Sequence, residues 1–291
     1  MPRVILLPLT GTDTDRATRA SALALATGFG AHVIGLHVRR DVRHDIAALA
    51  ASDMGMGAGL DDLMVRMEAD ADRRARTAED AWGAACAGAG LALAEQPGQQ
   101  TGATWSFAQE TGDESAWITE YGRAADLILL GRAREAGVLD LDPMEAALME
   151  TGRPVLIAAE DRVPVPDGVV AIAWKNTAEA AAAVAAAMPF IQRAHRVIVF
   201  SVEEEETPEA VDMSQARLTR ALRWHNANTG SQMPRHEARP PVRVLLDALA
   251  REKCDLLVMG GYGHTRLREA VFGGFTRSVL QAAPVPVLMA H

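Results

Sequence analysis

Four glycines follow one apolar run in the C-terminal half of the chain, with a spacing that suits anion binding. They are Gly260, Gly263, Gly273 and Gly274, in the arrangement G-x2-G-x9-G-G. Glycine lets backbone N–H groups come close to a ligand, and the N–H groups at a helix start point toward it with the positive end of the helix dipole. His264 adds a side-chain donor. The pattern predicts a phosphate-binding loop; the simpler alternative is that the glycines only turn the chain and bring a helix close to a sheet.

The elements that would position this loop occur twice in the chain. The loop follows an apolar run without polar alternation, which is typical of a parallel strand covered on both faces by helices. Other apolar segments correspond between the two halves in the same way. The corresponding pairs are 4–9 with 169–174, 31–38 with 196–202, 126–131 with 255–260, and 153–158 with 285–290.

Strands that alternate with helices predict an α/β fold. Such βαβ units form parallel, doubly wound sheets, and we expect two in tandem with about five strands each. Charges and two prolines interrupt the periodicity near 160–167, so the predicted units are 1–160 and 166–291. In an open parallel sheet, ligands bind beyond the carboxyl ends of the strands, where the glycine loop lies.

The first half carries about 36 more residues than the second, since the first strands are offset by 165 residues and the glycine-capped strands by only 129. The extra residues include a Gly/Met-rich stretch, 54–59, and a predicted long helix from about Leu60 to Ala89. We favour the interpretation that these residues form a plain surface loop, and the alternative is a lid over a site.

The repeated unit with its glycine loop resembles the universal stress protein family, whose signature is G-x2-G-x9-G-[S/T] between the fourth strand and the last helix. The match covers Gly260, Gly263 and Gly273, and weaker similarity extends over nearly all of both halves. The resemblance implies a Rossmann-like, adenine nucleotide alpha hydrolase-like fold whose loop holds the phosphates of ATP or another adenine nucleotide. The implied nucleotide-binding residues are Gly260, Gly263, His264, Gly273, Gly274, Phe275 and Thr276.

Three positions depart from the family pattern. Gly274 stands where a Ser or Thr hydroxyl is usual, and the Asp that helps to hold adenosine is replaced by Lys175 in the second half and Thr10 in the first. In the first half only Gly131 remains of the glycine loop, and 141–142 reads Leu-Asp in place of the glycine pair. A carboxylate at a helix start repels phosphate, so the first half is predicted to be structural, with a degenerate binding loop.

No catalytic or metal-binding residues are expected. The first strands are not followed by the SGGxDS-like loop of related hydrolases, and no Walker lysine follows either glycine segment. The histidines lack ligand spacing, and His32 and His37 are expected on opposite faces of one strand. The predicted function is nucleotide binding in stress response or signalling without efficient catalysis. The alternative is a ligand-free protein-interaction scaffold, and a weak nucleotide hydrolase is less favoured.

Composition and net charge limit the kinds of partner that the chain is expected to bind. With 29 basic and 38 acidic residues the formal net charge is −9, which disfavours nucleic acid and anionic membrane surfaces as partners. Cys86 and Cys254 lie far apart and neither belongs to a CxxC pair, so a reducing cytoplasm is expected. No apolar run reaches the length of a membrane span. Each half ends in an apolar strand that needs a partner. We therefore predict an intrachain pseudo-dimer through 154–158 and 284–290, with a homodimer left open.

Overall fold

A computed structural model describes residues 1–51, 60–98, 102–132, 134–135, 138–139, 141–201, 208–233, 239–261 and 274–291. The strands of the first half are β1 (Val4–Pro8), β2 (His32–Arg39), β3 (Ala92–Leu93), β4 (Thr104–Thr111), β5 (Leu127–Leu130), β6 (Arg134–Glu135), β7 (Val138–Leu139) and β8 (Val155–Ile157). Its helices are α1 (Asp15–Phe29), α2 (Val42–Ala51), α3 (Leu60–Gly88), α4 (Glu114–Ala124) and α5 (Asp142–Glu150).

The second half repeats this plan without the long helix. Its strands are β9 (Val169–Trp174), β10 (Arg196–Ser201), β11 (Thr229–Gln232), β12 (Leu256–Gly260) and β13 (Val287–Ala290). Its helices are α6 (Ala178–Ala186), α7 (Met188–Ile191), α8 (Pro208–Leu222), α9 (Pro241–Arg251) and α10 (Gly274–Ala282).

All of these strands except the small β6–β7 hairpin belong to one sheet. Its order is β11-β10-β9-β12-β13-β8-β5-β1-β2-β4-β3. The two predicted doubly wound parallel units are therefore present. The second unit has the five strands expected, in the order third, second, first, fourth, fifth, and the first unit has the same order with β3 added at its outer edge. In both units the topological switch point lies between the first and fourth strands, β1 with β5 and β9 with β12.

The central strands are apolar on both faces because helices cover both sides of the sheet. Ile5, Leu6 and Leu7 of β1 are all fully buried, although their side chains alternate between the two faces. The apolar layers continue from one unit into the other. Between the units, the rings of Phe29 and Phe190 meet edge to face with centroids 5.0 Å apart. Burial of this kind, rather than polar alternation, explains why the strands read as continuous apolar runs.

The last strands of the two units join the halves of the sheet. β13 pairs with β8 in antiparallel fashion, with Leu288 opposite Leu156, whereas the other pairings of the large sheet are parallel. Both leucines are fully buried. The predicted pairing of the two last strands is present, and each strand covers an edge that would otherwise expose unpaired backbone groups.

The long helix predicted from about Leu60 to Ala89 is α3, which ends at Gly88. It packs against β2 and against the loop after β1. The Gly/Met-rich stretch 54–59 lies outside the described residues. Cys86 on α3 and Cys254 before β12 are both free and fully buried, and burial raises the pKa of each thiol to about 12. Both thiols are therefore protonated at neutral pH and poorly reactive.

Candidate functional site

The predicted nucleotide loop leaves the sheet at the switch point of the second unit. Gly260 is the last residue of β12, beside β9, and the loop returns to the fold at the start of α10. A Cβ atom at Gly260 would lie 2.7 Å from the backbone nitrogen of Ala180 in α6. Glycine is therefore required here by packing, because the strand end touches the first turn of a helix. The same contact brings the N-terminal end of α6 to the edge where the loop begins.

The neighbouring strand, β9, ends at Trp174, and Lys175 follows it. The Trp174 indole N–H donates to the Ser214 hydroxyl at 2.9 Å, and the ring packs against the core. Lys175 is half-buried at the position where family members carry an aspartate. Thr177 caps α6 by accepting a hydrogen bond from the Ala180 N–H at 3.3 Å. A cation and a helix N-terminus thus lie at the same edge.

Helix α10 contributes three of the predicted residues. Gly274 is exposed, and a Cβ atom there would meet nothing within 4 Å. Thr276 is buried and Phe275 packs partly against the core, and both residues offer backbone N–H groups in the first turn. The other predicted residues, Gly263, His264 and Gly273, lie outside the described residues.

The first unit has a cleft that sequence reasoning missed. A cavity of about 1010 Å³ lies at the carboxyl ends of β1 and β2, between the loop after β1 and helix α3. Its lining includes Thr10, Thr12, His37, Arg66 and Arg74. Helix α3, which is part of the extra residues of the first half, therefore forms one wall of a cleft, and the surface-loop and lid interpretations both stay predictions. The inserted helix itself was the available signal.

A carboxylate occupies the loop after β1. Asp15 is buried and accepts hydrogen bonds from the backbone N–H groups of Thr10, at 3.1 Å, and Gly11, at 2.9 Å. These N–H groups are therefore already bonded to an anion of the protein. The sequence analysis noted only that Thr10 stands at the position of the family's aspartate. It missed Asp15, five residues further along the chain, whose carboxylate accepts hydrogen bonds from this loop.

The start of α5 in the first unit is acidic. α5 begins at Asp142, and Glu145 follows in its first turn. Burial, together with the charges of Asp142 and Glu150, raises the pKa of the Glu145 carboxyl above its ordinary value. Besides burial, the two neighbouring carboxylates disfavour further negative charge near this helix. The arrangement supports the sequence argument that phosphate is repelled here.

The two histidines of β2 have separate surroundings. His32 contacts Thr104 and Ser106 of β4 through its two ring nitrogens, at 2.8 and 3.0 Å, and burial lowers its pKa. His37 lies at the other end of the strand against the cleft. In the described part of the chain, no three His, Cys, Asp or Glu side chains group as metal ligands would. Nor does any described helix combine the length and apolarity that crossing a membrane requires.

Comparisons with known proteins agree with this architecture. The model of the Universal stress protein family matches residues 169–291. A universal stress protein from Archaeoglobus fulgidus superimposes with a TM-score of 0.65 at 16% identity, covering 99% of this chain and 95% of the other. A functionally unknown protein from Pseudomonas aeruginosa gives 0.57 at 17% identity, covering 99% and 92%. No curated protein sequence gives a significant match. At these identities the structural likeness establishes the fold.

Proposed function

Because residues 169–291 match the model of the Universal stress protein family, we propose that the second unit binds an adenine nucleotide, such as ATP, and that the protein acts in stress response or signalling without efficient catalysis. The proposal locates the ligand at the switch point between β9 and β12. Phosphates would contact the first turn of α10, and the start of α6 would add a second positive helix end.

One observation carries the proposal. α10 is the helix that follows the glycine loop along the chain, and its first residue, Gly274, is exposed, with no described residue within 4 Å of where its Cβ atom would lie. The first N–H groups of a helix have no partner within the helix, and they attract anions with the positive end of the dipole. Lys175 at the end of β9 adds positive charge to the same edge, which favours a phosphate-bearing ligand.

The sequence supports the proposal that the second unit does not catalyse phosphoryl transfer efficiently. Efficient phosphoryl transfer needs a cation clamp, a metal-holding carboxylate and a group that orients the nucleophile. The chain has no Walker lysine after either glycine segment and no hydrolase-type loop after either first strand. The second unit is therefore proposed to hold a nucleotide rather than to turn it over.

The test is a matched pair of substitutions at Gly274, Gly274→Glu and Gly274→Gln. Wild type should melt higher with ATP, by about 2.7 kcal/mol of added stability at roughly 100 times the dissociation constant. Gly274→Glu should weaken ATP binding at least about tenfold, because a carboxylate in the first turn repels phosphate. Without ATP it should melt at or above the wild-type temperature, since an acidic residue in the first turn stabilises a helix.

Gly274→Gln has nearly the same size without the charge, so it should retain most of the ATP response. A ligand titration followed by differential scanning calorimetry measures both properties in each variant. If wild type gains no stability from ATP, the ligand-free interaction scaffold is the function left for this fold. If Gly274→Glu binds as tightly as Gly274→Gln, the nucleotide does not lie at α10.

A further inference from the structure

The cleft of the first unit is partly open and is formed where distant parts of the chain meet. The loop after β1 approaches α3 so closely that a Cβ atom at Gly11 would collide with the carbonyl group of Arg74. The ends of β1 and β2 lie beneath the cleft, and the loop before α4 borders it. Its volume of about 1010 Å³ corresponds to the upper end of the range for small-molecule sites, about 300–1,000 Å³.

Three threonine hydroxyls along this loop are hydrogen-bonded in series. Thr10 donates to the Asp15 carboxylate at 2.8 Å, and Thr12 lies 2.7 Å from both Thr10 and Thr14. Each hydroxyl has one proton. Since Thr10 uses its proton on Asp15, Thr12 must donate to Thr10, and Thr14 must donate to Thr12. The series therefore offers the cleft acceptor lone pairs and no free hydroxyl proton.

The buried histidine presents another acceptor. His37 is 4% exposed, and its Nδ1 lies 2.7 Å from the backbone oxygen of Leu9. A carbonyl oxygen can only accept, so Nδ1 carries the proton, and Nε2 of the neutral ring is an acceptor. Among the described residues, none forms a hydrogen bond with Nε2. The ring lines the cleft, so this nitrogen is available to a ligand.

Carboxylates complete the lining. Asp41 and Asp113 accept hydrogen bonds from the backbone N–H groups of His44, at 3.1 Å, and Ala116, at 2.7 Å. Asp70 pairs with Arg74 on α3 at 2.9 Å. Arg40 and Arg66 are the other cations of the lining, and Glu114 is its fourth carboxylate. Acid groups therefore slightly outnumber the arginines, four to three.

We propose that this cleft binds a small organic amine, independently of any nucleotide in the second unit. An ammonium group has three donors and no acceptor, which complements the threonine series, the His37 nitrogen and the carboxylates. Phosphates and carboxylates only accept, so at the threonine series and the carboxylates they would face other acceptors, and Arg74, one of the three arginines, already pairs with Asp70. The glycine loop of the second unit plays no part in this binding.

A series of four-carbon compounds tests the proposal. The compounds 1,4-diaminobutane, 1,4-butanediol and butanedioate share one chain length and differ only in their end groups. In thermal melts of the full chain at matched ionic strength, the diamine should raise Tm by about 3 °C at a saturating concentration. The diol should raise it less, and butanedioate should have no effect. A response to butanedioate equal to that of the diamine, or no response to any of the three, would overturn the proposal.

Thr12→Val connects the response to the cleft. Valine keeps the shape of the threonine side chain but interrupts the hydroxyl series, so the affinity for the diamine should fall about fivefold. Thr77→Val is the matched control, because the Thr77 hydroxyl is on α3 but donates to the backbone oxygen of Arg73 and does not line the cleft. Equal losses in the two variants would contradict the assignment. Thr12→Val should leave any ATP response unchanged, which separates this site from the one in the second unit.

Discussion

Replacing Leu288 by aspartate should destabilise the whole chain by about 4 kcal/mol or more. Leu288 is fully buried in β13, opposite Leu156 of β8, at the only antiparallel pairing of the described large sheet. A carboxylate there loses its water without gaining a partner. Because the same strand pair joins both units, the loss should appear in equilibrium unfolding as a lower midpoint for both halves.

Two further variants keep this prediction testable. Leu288→Ala should cost about 3 kcal/mol through the cavity it leaves, and it should still fold if the aspartate variant does not. Met233→Asp, at a residue 38% exposed just after β11, makes a similar change of chemistry at the surface and should alter stability by less than about 0.5 kcal/mol. Leu288 variants that unfold at the wild-type denaturant concentration would show that β8 and β13 are not paired in solution.

Replacing Gly11 by alanine should detach α3 from the first unit. Gly11 has φ of +72°, a conformation that costs a residue with a Cβ atom about 1–2 kcal/mol. The added methyl would also collide with the backbone of Arg74, and overpacking of this kind typically costs about 1–3 kcal/mol more. The main chain of a helix cannot rotate away as a side chain can, so the loop and α3 must separate.

Gly30→Ala is the matched control for this variant. Gly30 has φ of +62°, but a Cβ atom there would meet nothing within 4 Å. It should therefore show only the backbone cost. Limited proteolysis and chemical denaturation distinguish the two variants, since Gly11→Ala alone should increase cleavage within α3. Equal stability and equal cleavage in the two variants would mean that α3 does not pack on the loop after β1.

The sheet could be predicted from the sequence because its strands are buried on both faces. Runs such as 255–260 lack polar alternation, and the structure places β12 at Leu256–Gly260. The pairing of the two last strands followed from the same reasoning about unpaired edges, and β8 and β13 confirm it. In each case the information is local, in the composition of a few consecutive residues.

Features that depend on distant contacts could not be predicted. The sequence interpretation made the first unit structural, and it missed the cleft because the closeness of Gly11 and Arg74 arises only in the fold. A local effect shapes the helix after β9 in the second unit. Ala180, Ala183, Val184, Ala187 and Met188 follow helical spacing, but α6 ends at Ala186 and α7 starts at Met188. Pro189 explains this break, because proline lacks an N–H and is tolerated only in the first turn of a helix.

The limits of the two units and the residues that contact a nucleotide stay predictions. Gly260 shows why, since its lack of a side chain is accounted for by the contact with Ala180 whether or not a ligand binds. Gly274 is more informative, because no described neighbour requires glycine there. A substitution at Gly274 can therefore test ligand binding without a large effect on the fold.

Equilibrium dialysis of the purified full chain against labelled ATP tests whether the second unit alone binds a nucleotide. Two units of one fold are joined in a single sheet, yet only the second combines a glycine loop with an open helix start, whereas Asp15 and Asp142 place carboxylates at the corresponding edge of the first. We expect ATP binding to saturate at one nucleotide per chain. Two nucleotides per chain, or none at millimolar ATP, would contradict it.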